Sequence, residues 1–209
     1  MTQIARRGVC LILSAPSGAG KTAIAEALLA TEPALERSIS VTTRARRPTE
    51  TDGVHYHFLT EDRFQQAVRD NALLEWARVL QGTHAYGTPR APVEKALNEG
   101  RDVVFDIDWQ GHRQLREMLP ADVVSVFVLP PNLTALRSRL VGRAGDHGEE
   151  IERRMRVARE EIRHCVEFDH AVLNEHLPTA TEAVRAVLHA ARSATQRLVG
   201  LTGFVERLK

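Results

Sequence analysis

Lys21 and Thr22 close the run Ser14-Ala15-Pro16-Ser17-Gly18-Ala19-Gly20-Lys21-Thr22. A short apolar stretch precedes this run and a helix-forming stretch follows it, the setting in which a glycine-containing loop cradles phosphate. Gly18 and Gly20 allow successive N–H groups to converge on phosphate oxygens, and the dipole of the following helix favours the same anion. Lys21 supplies a point charge for β- and γ-phosphates, and the Thr22 hydroxyl suits Mg2+. Ala15 stands where the strict pattern has glycine, which a negative φ accommodates. Lysine is scarce, with Lys21, Lys95 and Lys209 among 28 cationic side chains, so a lysine on this loop is not filler. The chemistry predicted is nucleoside triphosphate binding by residues 15–22.

A second cluster has the composition of another phosphate site. Ser40, Arg44 and Arg47 lie on one short segment, with Tyr56 and Tyr86 downstream. Arginine forks hold phosphate bidentately and tyrosine hydroxyls add neutral donors. Glu75 sits between Leu73-Leu74 and Trp76-Ala77, where a lone carboxylate is costly unless paired. Guanine would pair it through adjacent N1–H and N2–H2 donors, whereas adenine would aim a lone pair at it; Thr88 would donate to guanine O6. Asp106 and Asp108 end an apolar run, at the strand edge where open α/β sheets bind ligands.

These residues must be positioned by a framework, and the apolar patterning supplies one. Five β-branched or apolar runs read as buried strands: Val9–Leu13, Ser38–Thr42, Val103–Ile107, Val123–Leu129 and Ala171–Leu173. Helical patterns lie between them, among them Thr22–Ala30 before Pro33, Pro92–Asn98 before Gly100, and Thr179–Leu198. Alternation of this kind predicts an α/β domain with a mostly parallel sheet flanked by helices. Two stretches interrupt it. Residues 36–90, with the alternating run Val54–Leu59 and the segment Leu73–Val79, read as a small mixed insert. Residues 137–163 are dense in arginine; Ile151, Met155, Ala158, Ile162 and Cys165 give one apolar face and leave Arg153, Arg154, Arg156 and Arg159 off it.

Composition limits the function classes. The 209 residues, 43% hydrophobic and 26% charged, fit one folded domain, and the net charge of +1 gives no global field for nucleic acid or an anionic membrane. Cys10 and Cys165 have no metal-ligand spacing and read as buried thiols; His55 and His57 lack partners for a metal site; Trp76 and Trp109 read as core or wall residues. The apolar run after Arg6 and Arg7 is too short for a signal peptide or a membrane span, so a cytoplasmic location is expected. The length leaves little room for a motor, and no Asn-Lys-x-Asp guanine-reading segment occurs, which favours a small-molecule kinase.

Taken together the motifs resemble those of bacterial guanylate kinases over nearly the whole chain. The resemblance rests on Ser14–Thr22, Ser40-Val41-Thr42-Thr43-Arg44 with Arg47-Pro48, Asp52–Tyr56, Leu74–Ala77, Tyr86-Gly87-Thr88 and Asp106–Gly111. Arg139-Leu140 with Gly142-Arg143, and Glu149-Glu150-Ile151 with Arg154, complete it. It implies a P-loop NTPase core (residues 1–35, 91–136 and 164–209), a GMP-binding insert (36–90) and a helical lid (137–163). It implies the transfer of the ATP γ-phosphoryl group to GMP, with Mg2+ accompanying ATP; dGMP is expected as a second acceptor because no identified residue polices the 2′ position. Residue by residue, it implies that Ser40, Arg44, Arg47, Tyr56 and Tyr86 hold the GMP phosphate, that Glu75 and Thr88 read guanine, and that Asp108 helps to fix GMP. Asp106 would hold Mg2+-bound water beside Thr22; Lys21, Arg44, Arg143 and Arg154 would act on the transferring phosphoryl group; Asn174 would lie near adenine.

Three departures from the family pattern stand out. The stretch from Glu75 to Tyr86 is about two residues longer, with Gln81–Ala85 predicted as a surface bulge that leaves the register of Tyr86 open. Ala144 follows Arg143 where glycine is usual, and Glu175 follows Asn174 where aspartate is usual. Two other functions use similar parts: a non-catalytic guanylate-kinase-like module that binds phosphorylated partners, and a kinase for another phosphorylated acceptor such as a ribose bisphosphate. No nucleic-acid or membrane partner is expected, and a homo-oligomer is left open.

Overall fold

The computed structural model describes residues 4–79, 83–141 and 148–208. In chain order its elements are β1 (Ala5–Arg6), β2 (Cys10–Ser14), α1 (Lys21–Thr31), β3 (Leu35–Arg37), β4 (Val41–Thr42), β5 (His57–Phe58), α2 (Glu61–Arg69), β6 (Leu73–Val79) and β7 (His84–Pro89). There follow α3 (Arg90–Asn98), β8 (Asp102–Asp106), α4 (Trp109–Met118), β9 (Val123–Leu129), α5 (Leu133–Val141), α6 (Gly148–Arg163), β10 (His170–Leu173), α7 (Leu177–Arg192), β11 (Leu198–Val199) and α8 (Leu201–Glu206).

Five strands form one parallel sheet in the order β10-β9-β2-β8-β3. All five residues of β2 are buried, as a central strand covered on both faces requires. Its side chains alternate between two cores. Leu11 and Leu13, with Val9 just before the strand, pack with α1 and α7, while Cys10 and Ile12 pack with α3, α4, Phe105 and Phe127. The α/β reading with a mostly parallel sheet flanked by helices therefore holds.

The chain leaves this sheet after Arg37 and returns at α3. Between them, β5-β4-β7-β6 form a mixed four-stranded sheet, with Val41, Phe64, Leu73 and Ala85 as its own small core. A third small core joins α5 to α6 through Leu136, Leu140, Ile151, Met155 and Ala158, so the apolar face expected in 137–163 does face inward. Among the described residues no helix is long and apolar enough to cross a membrane.

Several expectations need correction. The run Ser38–Thr42 is not one core strand. Leu35–Arg37 pairs with β8, and after a last bond from Ser38 N–H to Val104 O (3.0 Å) the chain crosses to the other sheet as β4. Five residues of apolar alternation hold no information about which sheet they join. The run Val54–Leu59 contracts to β5, because a turn at Gly53 (φ 74°) precedes it and Asp52 accepts the Phe58 N–H at 2.9 Å. Thr179–Leu198 is α7 only to Arg192; Leu198–Val199 instead pairs antiparallel with β1. β10 is an edge strand with Val172 buried and its neighbours exposed, and Cys165 is half-buried rather than buried. Of the expected surface bulge, Gln81 and Gly82 lie outside the described residues, whereas Ala85 is fully buried; the register shift falls at the other end of the hairpin, between Leu73 and Glu75.

Candidate functional site

The loop between β2 and α1 turns through two left-handed glycines, Gly18 (φ 92°) and Gly20 (φ 100°). Any other residue is strained there. At Gly20 a Cβ would also stand 2.2 Å from Asn174 Nδ2, whose amide donates to Ala19 O at 2.7 Å. Asn174 is buried and thus braces the loop from behind, and Arg139 donates to the Asn174 carbonyl at 3.1 Å. A cavity of about 320 Å3 lies over the loop, lined by residues from Ala15 to Ala23 and by Glu161.

Lys21 reaches across the sheet edge, with Nζ 2.7 Å from Asp106 Oδ1 and 3.2 Å from Ile107 O. Thr22 Oγ1 donates to Asp106 Oδ2 at 3.3 Å. β2 and β8 are adjacent parallel strands with Leu13 opposite Asp106, and this register sets the loop beside the carboxylate. Asp106 also lines a second cavity of about 280 Å3, together with Ser38, Ser40, Tyr56, Thr88 and others. Lys21 and Thr22 of the first cavity thus bond a carboxylate that lines the second.

Around the second cavity, the four-stranded sheet assembles the remaining polar groups. Arg44 holds Glu50 through both ends of its fork (2.7 and 3.1 Å), and Glu50 Oε2 also accepts the Arg47 N–H at 2.8 Å. Arg44 also faces the Tyr86 side chain and lies 5.5 Å from the centre of the Tyr56 ring. The Arg44 guanidinium, with the Arg47 amide, pulls the Glu50 carboxyl down to about 2. Tyr56 and Tyr86 meet edge to face at 5.9 Å, and Thr42 pairs with Tyr86 across β4 and β7. That register turns Tyr86 to the same side as Tyr56 and Arg44.

Glu75 is 7% exposed and accepts from Thr88 Oγ1 at 2.6 Å, its cross-strand partner on β7. Burial raises its pKa to about 7; the Thr88 hydrogen bond opposes this and the Asp108 charge adds to it. Asp108 is the N-cap of α4, accepting the Gln110 and Gly111 N–H groups at 2.9 Å. The first turn of α4 packs against Glu75, since a Cβ on Gly111 would lie 3.3 Å from Glu75 Oε2. Gln114 of α4 exchanges hydrogen bonds with the Trp76 backbone at 3.0 Å, fastening the helix to the strand.

Of the residues picked from the sequence, Lys21, Thr22 and Asp106 form one cluster, and Arg44, Tyr56 and Tyr86 another. Ser40 and Thr88 line the second cavity, and Glu75 bonds Thr88. Ala15, Pro16, Ser17, Gly18 and Gly20 line the first cavity. The Arg47 side chain is exposed, Ala19 is buried beneath the loop, and Arg154 donates to Ser17 Oγ at 2.6 Å. Arg143 lies outside the described residues. Sequence reasoning missed Glu50 and Glu161. The signal for Glu50 was a carboxylate three residues after Arg47 in a proline-containing turn; for Glu161 it was spacing seven residues after Arg154 on one helix.

Comparison with known proteins bears on this geometry. A protein-family model described as guanylate kinase matches residues 7–191. The chain is 59% identical over 205 residues to a guanylate kinase of Gluconobacter oxydans, covering 98% of each chain. It is 52% identical over 206 residues to a guanylate kinase of Rhizobium etli, covering 99% of this chain and 93% of that one. A crystal structure of guanylate kinase from Anaplasma phagocytophilum matches with a TM-score of 0.78 at 32% identity, covering 99% of this chain and 97% of that one.

Proposed function

The chain belongs to the guanylate kinase family, and we propose that it transfers the γ-phosphoryl group of ATP to GMP, with dGMP as a second acceptor, yielding ADP and the nucleoside diphosphate. The observation that carries this reading is the Asp106 carboxylate, which touches Lys21 and Thr22 on one side and lines the second cavity on the other. Donor and acceptor phosphates bound in these cavities would face each other across it. A module that only binds phosphorylated partners has no need of a lysine, a hydroxyl and a carboxylate so joined.

In this reading the loop 15–22 holds the ATP phosphates through its N–H groups and Lys21. Phosphoryl transfer needs positioning and cations more than acid–base groups. Arg44, fixed by Glu50, meets the GMP phosphate with little reorganisation, aided by Ser40, Arg47, Tyr56 and Tyr86. Glu75 and Thr88 read guanine, and Asp108 supports the nucleoside beside them. Residues 36–90 form the GMP-binding insert and 137–163 the lid, which brings Arg143 and Arg154 to the transferring group, while Asn174 supports the ATP side. Thr22 and Asp106 are hard oxygen donors and fit Mg2+, which keeps most of its remaining positions for phosphate and water. When bound, the ion neutralises developing charge on the phosphates. The cytoplasm, where both nucleotides are available, is the setting that fits.

A coupled assay of ATP consumption against GMP, dGMP, AMP, UMP, CMP and a ribose bisphosphate tests the reading. The expected outcome is turnover with GMP and dGMP at least a hundredfold above the other acceptors, on the order of two missing hydrogen bonds. Equal turnover with AMP, or preference for the ribose bisphosphate, would refute it.

A further inference from the structure

Strand β6 is an edge of the four-stranded sheet, with β7 as its one strand neighbour among the described residues, so alternate residues turn their N–H and C=O away from the sheet. Trp76 is such a residue. Its N–H donates to Gln114 Oε1 and its C=O accepts from Gln114 Nε2, both at 3.0 Å. A primary amide carries a donor and an acceptor side by side, and here it bonds the strand much as the peptide groups of another strand would. Trp76 follows directly on Glu75, and α4 holds both. Gly111 and Gln114, three positions apart, share one face of the helix. At Gly111 a Cβ would stand 3.3 Å from Glu75 Oε2, so the helix lies close against the carboxylate; one turn on, Gln114 fixes the backbone beside it.

Other contacts hold the strand as a whole. Leu74 is buried in one core with Ile12, Phe105 and Leu115 of α4, which keeps β6 docked whether or not the amide is present. Two bonds to a half-buried glutamine therefore add only modestly to stability, since water can replace them. Their value lies in placement. Two carboxylate oxygens must meet two adjacent donors on a base, and an error of about 1 Å forfeits much of that match. We infer that Gln114 is a positioning residue for guanine recognition: its amide locks the Trp76 backbone to α4 and through it aims the Glu75 carboxylate, without needing to touch either nucleotide. This inference rests on the reading of Glu75 as the group that selects guanine.

Steady-state kinetics on the full chain test it, using Gln114→Ala, Gln114→Met and the double variant Gln114→Ala with Glu75→Gln. Methionine keeps the length of the side chain and removes both bonds. In both single Gln114 variants KM for GMP should rise about tenfold, while KM for ATP stays within twofold and kcat at saturating GMP within threefold. In the Glu75→Gln background, Gln114→Ala should lower kcat/KM for GMP less than threefold, because an amide that acts through the carboxylate has nothing left to aim. An unchanged KM for GMP in both single variants overturns the inference, as does a wild-type KM in Gln114→Met, where the space is filled and the bonds are gone. An equal rise in KM for ATP, or the full tenfold loss in the Glu75→Gln background, overturns it too. Undiminished kcat/KM for GMP in Glu75→Gln alone would refute the reading of Glu75 and this inference with it; a large loss there with none in the Gln114 variants would refute this inference only.

Discussion

In the proposed reaction Glu75 is the residue on which base selection turns, and its environment makes its protonation part of that chemistry. A carboxyl whose pKa rises from the ordinary 4.5 to about 7 on folding holds its proton in the folded chain after the unfolded chain has released it. Stability therefore falls as pH rises from about 4.5 to 7, by up to about 3 kcal/mol, and is level above that. Guanine N1–H and N2–H2 require the charged carboxylate. GMP binding should accordingly release a proton below pH 7 and strengthen as pH rises to 7, an outcome that calorimetry in buffers of different ionisation enthalpy will reveal. Glu75→Gln should abolish that release and lower kcat/KM for GMP by roughly 3–5 kcal/mol, the sum of a lost charge-assisted bond and an unpaired donor. AMP turnover should fall less or rise. Equal losses for both nucleotides would make Glu75 a structural residue.

At the scale of elements, the phosphate loop depends on a fit between two segments far apart in sequence. Gly20 supplies both a left-handed backbone and the space into which Asn174 reaches to hold Ala19. Gly20→Ala should cost about 2–3 kcal/mol in urea unfolding, combining a strained φ with displacement of the Asn174 amide, and should weaken ATP binding more than tenfold. Because both costs pass through Asn174, Gly20→Ala and Asn174→Ala should be less than additive in a double-mutant cycle. Full additivity would mean that the two positions act independently. Helix α4 shows the same economy, since Asp108 caps it while the helix backs the strand that carries Glu75.

Over the whole molecule, the segment carrying β4 to β7 and the α5–α6 pair each have a small core of their own beside the five-stranded central sheet. Elements with few shared apolar contacts can move as units, and phosphoryl transfer requires water to be excluded as they close. GMP and a non-hydrolysable ATP analogue together should protect residues 40–79 and 148–163 from hydrogen exchange more than the sum of the two ligands separately. Strictly additive protection would argue for two static sites.

Residue order alone made legible the parts whose chemistry is local. A glycine-containing loop between strand and helix presents its own backbone N–H groups at the helix start, so the loop at residues 14–22 was legible from spacing alone, as were four of the five parallel core strands and the apolar face of α6. The folded chain settled what depends on contacts between distant segments. It split Ser38–Thr42 between two sheets, because backbone pairing and not side-chain alternation chooses a partner. It set Tyr86 beside Tyr56 through a register that the length of the hairpin alone left open. It gave Arg44 its partner Glu50, set Asn174 behind the loop, and brought Arg154 to Ser17, contacts spanning 6 to 155 positions that no periodicity encodes.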